Sequence, residues 1–337
     1  MSVNRKQVAA YAAVSEATVS YVINNGPRPV APETRERVLR AIRELGYSPS
    51  TVARNLRAQR TTTMGLLLPD IINPFYAEVA QVIENTCFAH GYTTILCNSS
   101  QSQQHEQDYV NMLRAQRAAG VILIPIGANT HAVRQLREAN IPTVVLEYEF
   151  DNAFCLVIDE LRGGLLLTQH LLQLGHRRIG CIASIEDSSS SKVRFEGYIK
   201  ALNQAEVVPD ESLIVHTHQE IAASEAATFT LLDLPEPPTA IFVHNDRLAL
   251  GALSAIRKRG LRVPEDISVV GYDNVVEAAF FHPPLTTIDY PKHQIGEEAV
   301  RLLFDLIGQP DPALKPVTKM LPVELIVRES TAPPRRL

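Results

Sequence analysis

The stretch Val8-Ala9-Ala10-Tyr11-Ala12-Ala13-Val14-Ser15-Glu16-Ala17-Thr18-Val19-Ser20-Tyr21-Val22-Ile23-Asn24 decides the reading of the N-terminal module. Val8, Ala12, Val19, Val22 and Ile23 recur at helical spacing, and Ser15 stands where a cap would start a new helix at Glu16. Upstream, Asn4 can cap a first helix running from Arg5 to about Ala12. Downstream, Asn25-Gly26-Pro27 signals a turn. Pro32-Glu33 then opens a third helix with Val38, Ile42 and Leu45 on its apolar face, and Gly46 ends it. Three short helices with a tight turn between the first two match a helix-turn-helix unit.

Charge supports a nucleic-acid reading only when it is divided along the chain. The formal net charge of −5 over 337 residues argues against such a partner, but it averages two unlike parts. Residues 1–60 hold 10 Lys and Arg against 4 Asp and Glu, a net of +6. Residues 61–337 hold 22 against 33, a net of −11. In the basic part, Arg5, Lys6, Arg28, Arg35 and Arg54 can meet phosphates, and backbone amides at the Asn4 and Ser15 helix starts can donate to phosphate oxygens. Glu16, Ala17 and Tyr21 project from one end of the second helix, the place from which side chains reach base edges in a major groove. Glu16 can accept from a cytosine amino group, Ala17 can touch a thymine methyl, and Tyr21 can donate or accept.

From Thr61 the pattern changes to alternating strand and helix. Short unbroken apolar runs fall at 65–68, 94–97, 121–124 and 143–146, and again at 179–183, 213–215, 240–243 and 267–270. Helical stretches such as 75–90 and 164–174 have the length of βαβ crossovers. Unbroken apolar strands indicate parallel sheets covered on both faces. Two sets of four predict two similar α/β lobes, with ligand in the cleft outside the carboxyl ends of their strands. Cys87, Cys97, Cys155 and Cys181 lie in apolar contexts without C-x-x-C spacing, which predicts buried, reduced thiols. Neither a membrane span nor an export signal is expected.

Several motifs together resemble the LacI/GalR (lactose-repressor) family of bacterial transcription regulators. The opening stretch resembles that family's headpiece, as does Glu33-Thr34-Arg35-Glu36-Arg37-Val38 through Leu45-Gly46-Tyr47-x-Pro49-x-x-x-Ala53-Arg54-x-Leu56. The resemblance continues through Asn73-Pro74-Phe75-Tyr76, Leu174-Gly175-His176-Arg177-Arg178-Ile179, Arg194-x-x-Gly197-Tyr198, Asn245-Asp246, Gly271-Tyr272-Asp273-Asn274 and Leu285-Thr286-Thr287-Ile288. It implies an all-α helix-turn-helix headpiece over 1–47 and a hinge helix and linker over 48–61. It also implies a two-lobed α/β core akin to periplasmic binding proteins, with lobes 62–161 plus 291–319 and 162–290 plus 320–337. The expected protein is a cytoplasmic, nucleoid-associated repressor. It would bind a palindromic double-stranded operator as a homodimer or tetramer and answer to a small effector, without cofactor, metal or catalysis.

Residue by residue, the resemblance places DNA contacts at Asn4, Ser15, Glu16, Ala17, Thr18, Ser20, Tyr21 and Asn24, with Ala53 and Leu56 in the hinge. Leu56 matches the family leucine that wedges into the minor groove and kinks the duplex. Ala13 stands where the family often has glycine, so the turn would hold an alanine at positive φ. Effector contacts fall at Asp70, Phe75 and Glu147 in the first lobe, and at Ser188, Ser190, Arg194, Asn245 and Asp273 in the second, with Tyr290 at the crossover. Arg194 would offer a fork of donors, and Asp273, Asn245 and Glu147 would accept from hydroxyls. Phe75 and Tyr76 would supply an apolar wall. That mixture suits a sugar or sugar derivative. Gln219 near the usual aromatic platform, and the lack of an extra arginine within 188–191, lean the same way against a purine or other metabolite. An enzyme finds no support, since no phosphate-binding loop, nucleophile elbow or H-E-x-x-H occurs. His216 and His218 form a metal-like pair, read as lying in a solvated loop after a strand. A non-DNA-binding sugar carrier is the other rival class.

Overall fold

The computed structural model describes residues 3–24, 26, 28–47, 61–127, 131–184, 189–308 and 316–335, and divides between Thr61 and Thr62 into two compact units. The first unit consists of α1 (Arg5–Tyr11), α2 (Glu16–Asn24) and α3 (Pro32–Leu45). The Asn4 side chain accepts from the Gln7 amide while the Gln7 side chain accepts from the Asn4 amide, a reciprocal cap that starts α1. Ala13 has a φ of 52°, so the tight turn is made with an alanine in the left-handed region. Gly46 closes α3 at a φ of 61°, where glycine carries no Cβ penalty. The core is small and built from small side chains: Val8, Ala9, Ala12, Val19, Val22, Val38 and Ala41.

The second unit begins with β1 (Thr63–Leu68), α4 (Pro74–Ala89), β2 (Thr93–Asn98), α5 (Gln103–Ala115), β3 (Gly120–Leu123), α6 (His131–Glu138), β4 (Thr143–Leu146) and β5 (Phe154–Ile158). It continues with α7 (Glu160–Gln173), β6 (Ile179–Ser184), α8 (Ser189–Gln204), β7 (Ile214–Thr217), α9 (Ile221–Leu232), β8 (Ala240–Val243), α10 (Asp246–Lys258) and β9 (Ser268–Val270). It ends with β10 (Thr287–Asp289), α11 (Lys292–Gly308), β11 (Thr318–Leu321) and β12 (Glu324–Ile326).

The strands do not divide four and four. One parallel sheet has six strands in the order β11-β5-β4-β3-β1-β2, a second has four in the order β7-β6-β8-β9, and β10 pairs antiparallel with β12. The surplus comes from β5 and from β11, which pair with each other in parallel across more than 150 residues of sequence. The expected lobe boundaries shift slightly as well. Asp159 caps α7 by accepting from the Arg162 amide, so a boundary at 161/162 falls inside the first turn of that helix. Strand β11, in the six-stranded sheet, straddles 319/320.

Both sheets reverse strand order beside their first strand. In one, β1 lies between β2 and β3; in the other, β6 lies between β7 and β8. The helices after such neighbours leave to opposite faces, which opens a crevice at the strands' carboxyl ends. Those ends lead into Pro69, Pro125, Ile126 and Glu147 in one lobe, and into His244, Asn245 and Asp273 in the other. All seven line one cavity.

Candidate functional site

The cavity has a volume of about 150 Å³ and takes its walls from both lobes. Phe75 and Tyr76, in the first turn of α4, form an aromatic side with ring centroids 4.9 Å apart. Their position is set by Asn73, whose side chain accepts from the Phe75 amide as Pro74 begins the helix. Gln101, Pro125, Ile126, Gly127 and Tyr148 complete the first-lobe wall, opposite Ser190, Arg194, Gln219, His244, Asn245 and Asp273. Sequence reasoning had picked out only part of this set. Gln101, the 125–127 segment and His244 carry no local signal; their roles follow from where strands end.

Arg194 organises the second-lobe wall. Its Nε and Nη2 donate to the two oxygens of Glu160 at 2.7 and 3.0 Å, a bidentate pair buried from solvent. Nη1 donates to the His244 carbonyl at 3.1 Å and to Asp273 Oδ1 at 3.2 Å, and the guanidinium carbon lies 3.7 Å above the Tyr272 ring. The expected fork for a ligand is therefore turned onto Glu160, a residue the sequence reading did not select. Arg194 lines the cavity with four of its five N–H donors already engaged.

The cavity acids differ in partners. Asp273 Oδ1 also accepts from the Tyr290 hydroxyl at 2.9 Å, and burial, opposed by Arg194, pushes its carboxyl up to about 6. Burial, reinforced by the charge of Glu160, pushes Glu147 up to about 8. Its Oε2 accepts from the Tyr76 hydroxyl at 3.3 Å. Both acids sit at positive φ, 67° for Glu147 and 106° for Asp273, in backbone that L side chains seldom adopt. Burial, reinforced by Arg194, holds His244 well below the usual imidazole range and keeps it neutral.

Four expected contacts have partners within the protein that the sequence does not show. Asp70 does not line the cavity; its Oδ1 accepts from the Ile72 amide and its Oδ2 lies 3.8 Å from Arg247. Tyr290 stands behind the wall, edge-on to Phe75 at 5.0 Å, and acts on the cavity through Asp273. Asn245 lines it, but Oδ1 accepts from the Leu248 amide as the cap of α10, so the free part of the amide is a donor. The fourth is Arg194, as above. Phe75, Glu147, Ser190 and Asp273 line the cavity, as does Gln219; Ser188 lies outside the described residues. His216 belongs to β7 and is exposed, and no group of His, Cys, Asp or Glu among the described residues could hold a metal ion.

In the helical unit, Ser15 caps α2: its Oγ accepts from the Thr18 amide at 3.1 Å and pairs with the Thr18 hydroxyl at 2.9 Å. Glu16 and Ala17 are exposed beside it, and Tyr21 is half-buried over Gly26. That arrangement presents an acid, a methyl and a phenol along one helix start. One expected phosphate donor is otherwise occupied, since the Asn4 amide is taken by Gln7, while one Arg35 Nη1 points to the Val22 carbonyl at 3.5 Å. Arg54, Ala53 and Leu56 lie outside the described residues, as does the Asn24 side chain. Replacing Ser15 with alanine is expected to cost the helical unit about 1 kcal/mol through the lost cap. Thermal melting of residues 1–47 followed by circular dichroism measures it, and an unchanged midpoint would dismiss the cap.

Comparison with known proteins places both units. Residues 6–50 match the family model for bacterial regulatory proteins of the lacI family, and residues 168–331 match that for a periplasmic binding protein-like domain. The chain is 39% identical over 310 residues to the HTH-type transcriptional repressor PurR of Vibrio atlanticus, covering 91% of this chain and 92% of the relative. Among solved structures it resembles the lac repressor dimer bound to operator and the anti-inducer ONPF, at 30% identity and a TM-score of 0.85, covering 98% of this chain and 100% of that one. It also resembles the transcriptional regulator CelR in complex with cellobiose, at 34% identity and a TM-score of 0.73, covering 97% and 99%.

Proposed function

This chain belongs to the LacI family of DNA-binding transcriptional repressors, which are regulators and not enzymes, and from that premise we propose that its cleft takes a neutral or cationic, hydroxyl-rich effector, a sugar or sugar derivative. The engagement of Arg194 by Glu160 and Asp273 carries the reading. An anionic effector would meet carboxylates and a guanidinium already neutralised. A polyol meets the open oxygens of Glu147 and Asp273, the Asn245 amide and the Ser190 hydroxyl, against the Phe75 and Tyr76 rings. The likeness to a regulator solved with cellobiose supports this choice. A purine is the second reading, favoured by the aromatic side made of Phe75 and Tyr76 and by the relative named PurR. Thermal-shift measurements with sugars, purines and their phosphorylated counterparts separate the two. Greatest stabilisation by a phosphorylated compound would overturn both.

The headpiece reading completes the proposal. Two copies of α2 enter successive major grooves of a palindromic operator, with Glu16, Ala17 and Tyr21 at base edges and Asn4, Ser15, Thr18, Ser20 and Asn24 beside them. Ala53 and Leu56 enter on the sequence resemblance alone, as parts of a hinge helix that forms on DNA. Effector binding changes the angle between the lobes and so biases hinge formation, a coupling of about 1–3 kcal/mol. Gel retardation with a palindromic operator tests the DNA half. The logarithm of affinity is expected to fall with the logarithm of salt at a slope of roughly −0.9 per phosphate contact. Salt-independent binding would reject it.

A further inference from the structure

The charges around the cavity do not balance, and the imbalance has a location. Arg194 faces Glu160 and Asp273, two carboxylates against one guanidinium. The other cations of the neighbouring elements are held elsewhere. Arg247 donates to the Gln219 carbonyl and lies near Asp70, while the Lys292 ammonium donates to the Asp273 and Asn274 carbonyls at 2.9 and 2.6 Å, with Glu78 at 3.4 Å. Glu147 consequently has no cation within ion-pair distance among the described residues. Its one hydrogen bond there comes from Tyr76 to Oε2, which leaves Oε1 open. Across the cleft, Asp273 accepts twice on Oδ1, leaving Oδ2 without a partner among the described residues. Glu147 and Asp273 thus line the same cavity, one from each lobe, each with one carboxyl oxygen that has no partner among the described residues.

Two carboxyl groups sharing one cavity, Asp273 buried and Glu147 half-buried, favour closure of the lobes around a ligand that can donate to both. A hydroxyl brings one proton and satisfies one of them. An amino group brings two or three and, when charged, favours the ionised form of both acids as well. We propose that the effector carries an amino group bound between Glu147 of the first lobe and Asp273 of the second, so that the cavity selects an aminated ligand over its hydroxyl or carbonyl counterpart. The inference rests on the effector-cavity reading above and narrows its ligand class. The amino group also supplies a reason for closure, because it is attracted to a carboxylate from each side.

Isothermal titration calorimetry of the full chain with three matched pairs, glucosamine and glucose, adenosine and inosine, cytidine and uridine, tests the proposal. In at least one pair the amino member is expected to bind roughly 10- to 100-fold more tightly, the worth of a charge-assisted hydrogen bond. Glu147→Gln should weaken the amino member roughly 10-fold more than its counterpart and so remove most of that preference. Equal binding of the two members in every pair that binds, a Glu147→Gln loss equal for both members, or no binding in any pair would each overturn it. Ser190→Trp, which fills the cavity, separates the two levels. Binding abolished by Ser190→Trp without an amino preference sinks this inference alone, whereas binding that survives Ser190→Trp sinks the cavity reading.

Discussion

Arg194→Ala is expected to destabilise the effector-binding unit by about 3–5 kcal/mol, the cost of stranding buried carboxylates without their counter-ion. For a unit of this size that corresponds to a fall in melting temperature on the order of 10 °C. Glu160 and Asp273, both buried, would lose their shared cation and repel each other, and the His244 carbonyl would lose a donor. Effector binding should disappear with the wall it depends on. Arg194→Lys keeps the charge but not the bidentate geometry toward Glu160, so an intermediate loss is expected. The paired replacement Arg194→Met with Glu160→Gln removes the charge together with its main partner. It should recover much of the stability without recovering effector binding. Calorimetric melting of the four proteins measures the pattern, and a loss below about 1 kcal/mol for Arg194→Ala would show that the cluster does not hold the wall.

How much of this was legible depends on how local each signal is. Helices α1 to α3 could be read from spacing and caps because their determinants lie within a turn or two: Asn4 with Gln7, Ser15 with Thr18, Gly46 at the end. Strands β1 to β4 and β6 to β9 announced themselves as apolar runs. Strand β5 was missed, and so was β11, whose Thr318 and Lys319 leave it without an unbroken apolar run. The site divided in the same way. Residues attached to recognisable motifs, such as Phe75, Arg194 and Asp273, were found. Glu160 was not, because it reads as an ordinary acid in a helix's first turn. Only its approach to Arg194, 34 positions away, gives it a role. Asn245 was found, but its capping duty toward Leu248, which already engages the oxygen assigned to a ligand, was not.

Gly164→Ala is the second large effect, and its sign is not obvious from the sequence. Gly164 lies inside α7, where alanine is ordinarily favoured over glycine by about 1 kcal/mol. Here a Cβ would fall well inside contact distance of the Arg194 carbonyl oxygen on α8. The approach is mutual: a Cβ on Gly197 would sit 2.5 Å from the Leu161 carbonyl and 2.8 Å from the Leu165 amide. Because the obstructing atoms are backbone, no rotamer change relieves them, and the two helices must move apart. Overpacking of that kind costs about 1–3 kcal/mol and outweighs the propensity gain. Separating α7 from α8 also pulls Arg194 away from Glu160, one helix from the other, so effector affinity should fall along with stability. Gly308→Ala is the internal control. That glycine closes α11 with open space around its would-be Cβ, so its replacement should be neutral or slightly stabilising. Melting temperature and effector titration on both variants decide the matter. A Gly164→Ala protein as stable as the parent would mean that the helices can part without cost, and that Arg194 is not held in place by their close approach.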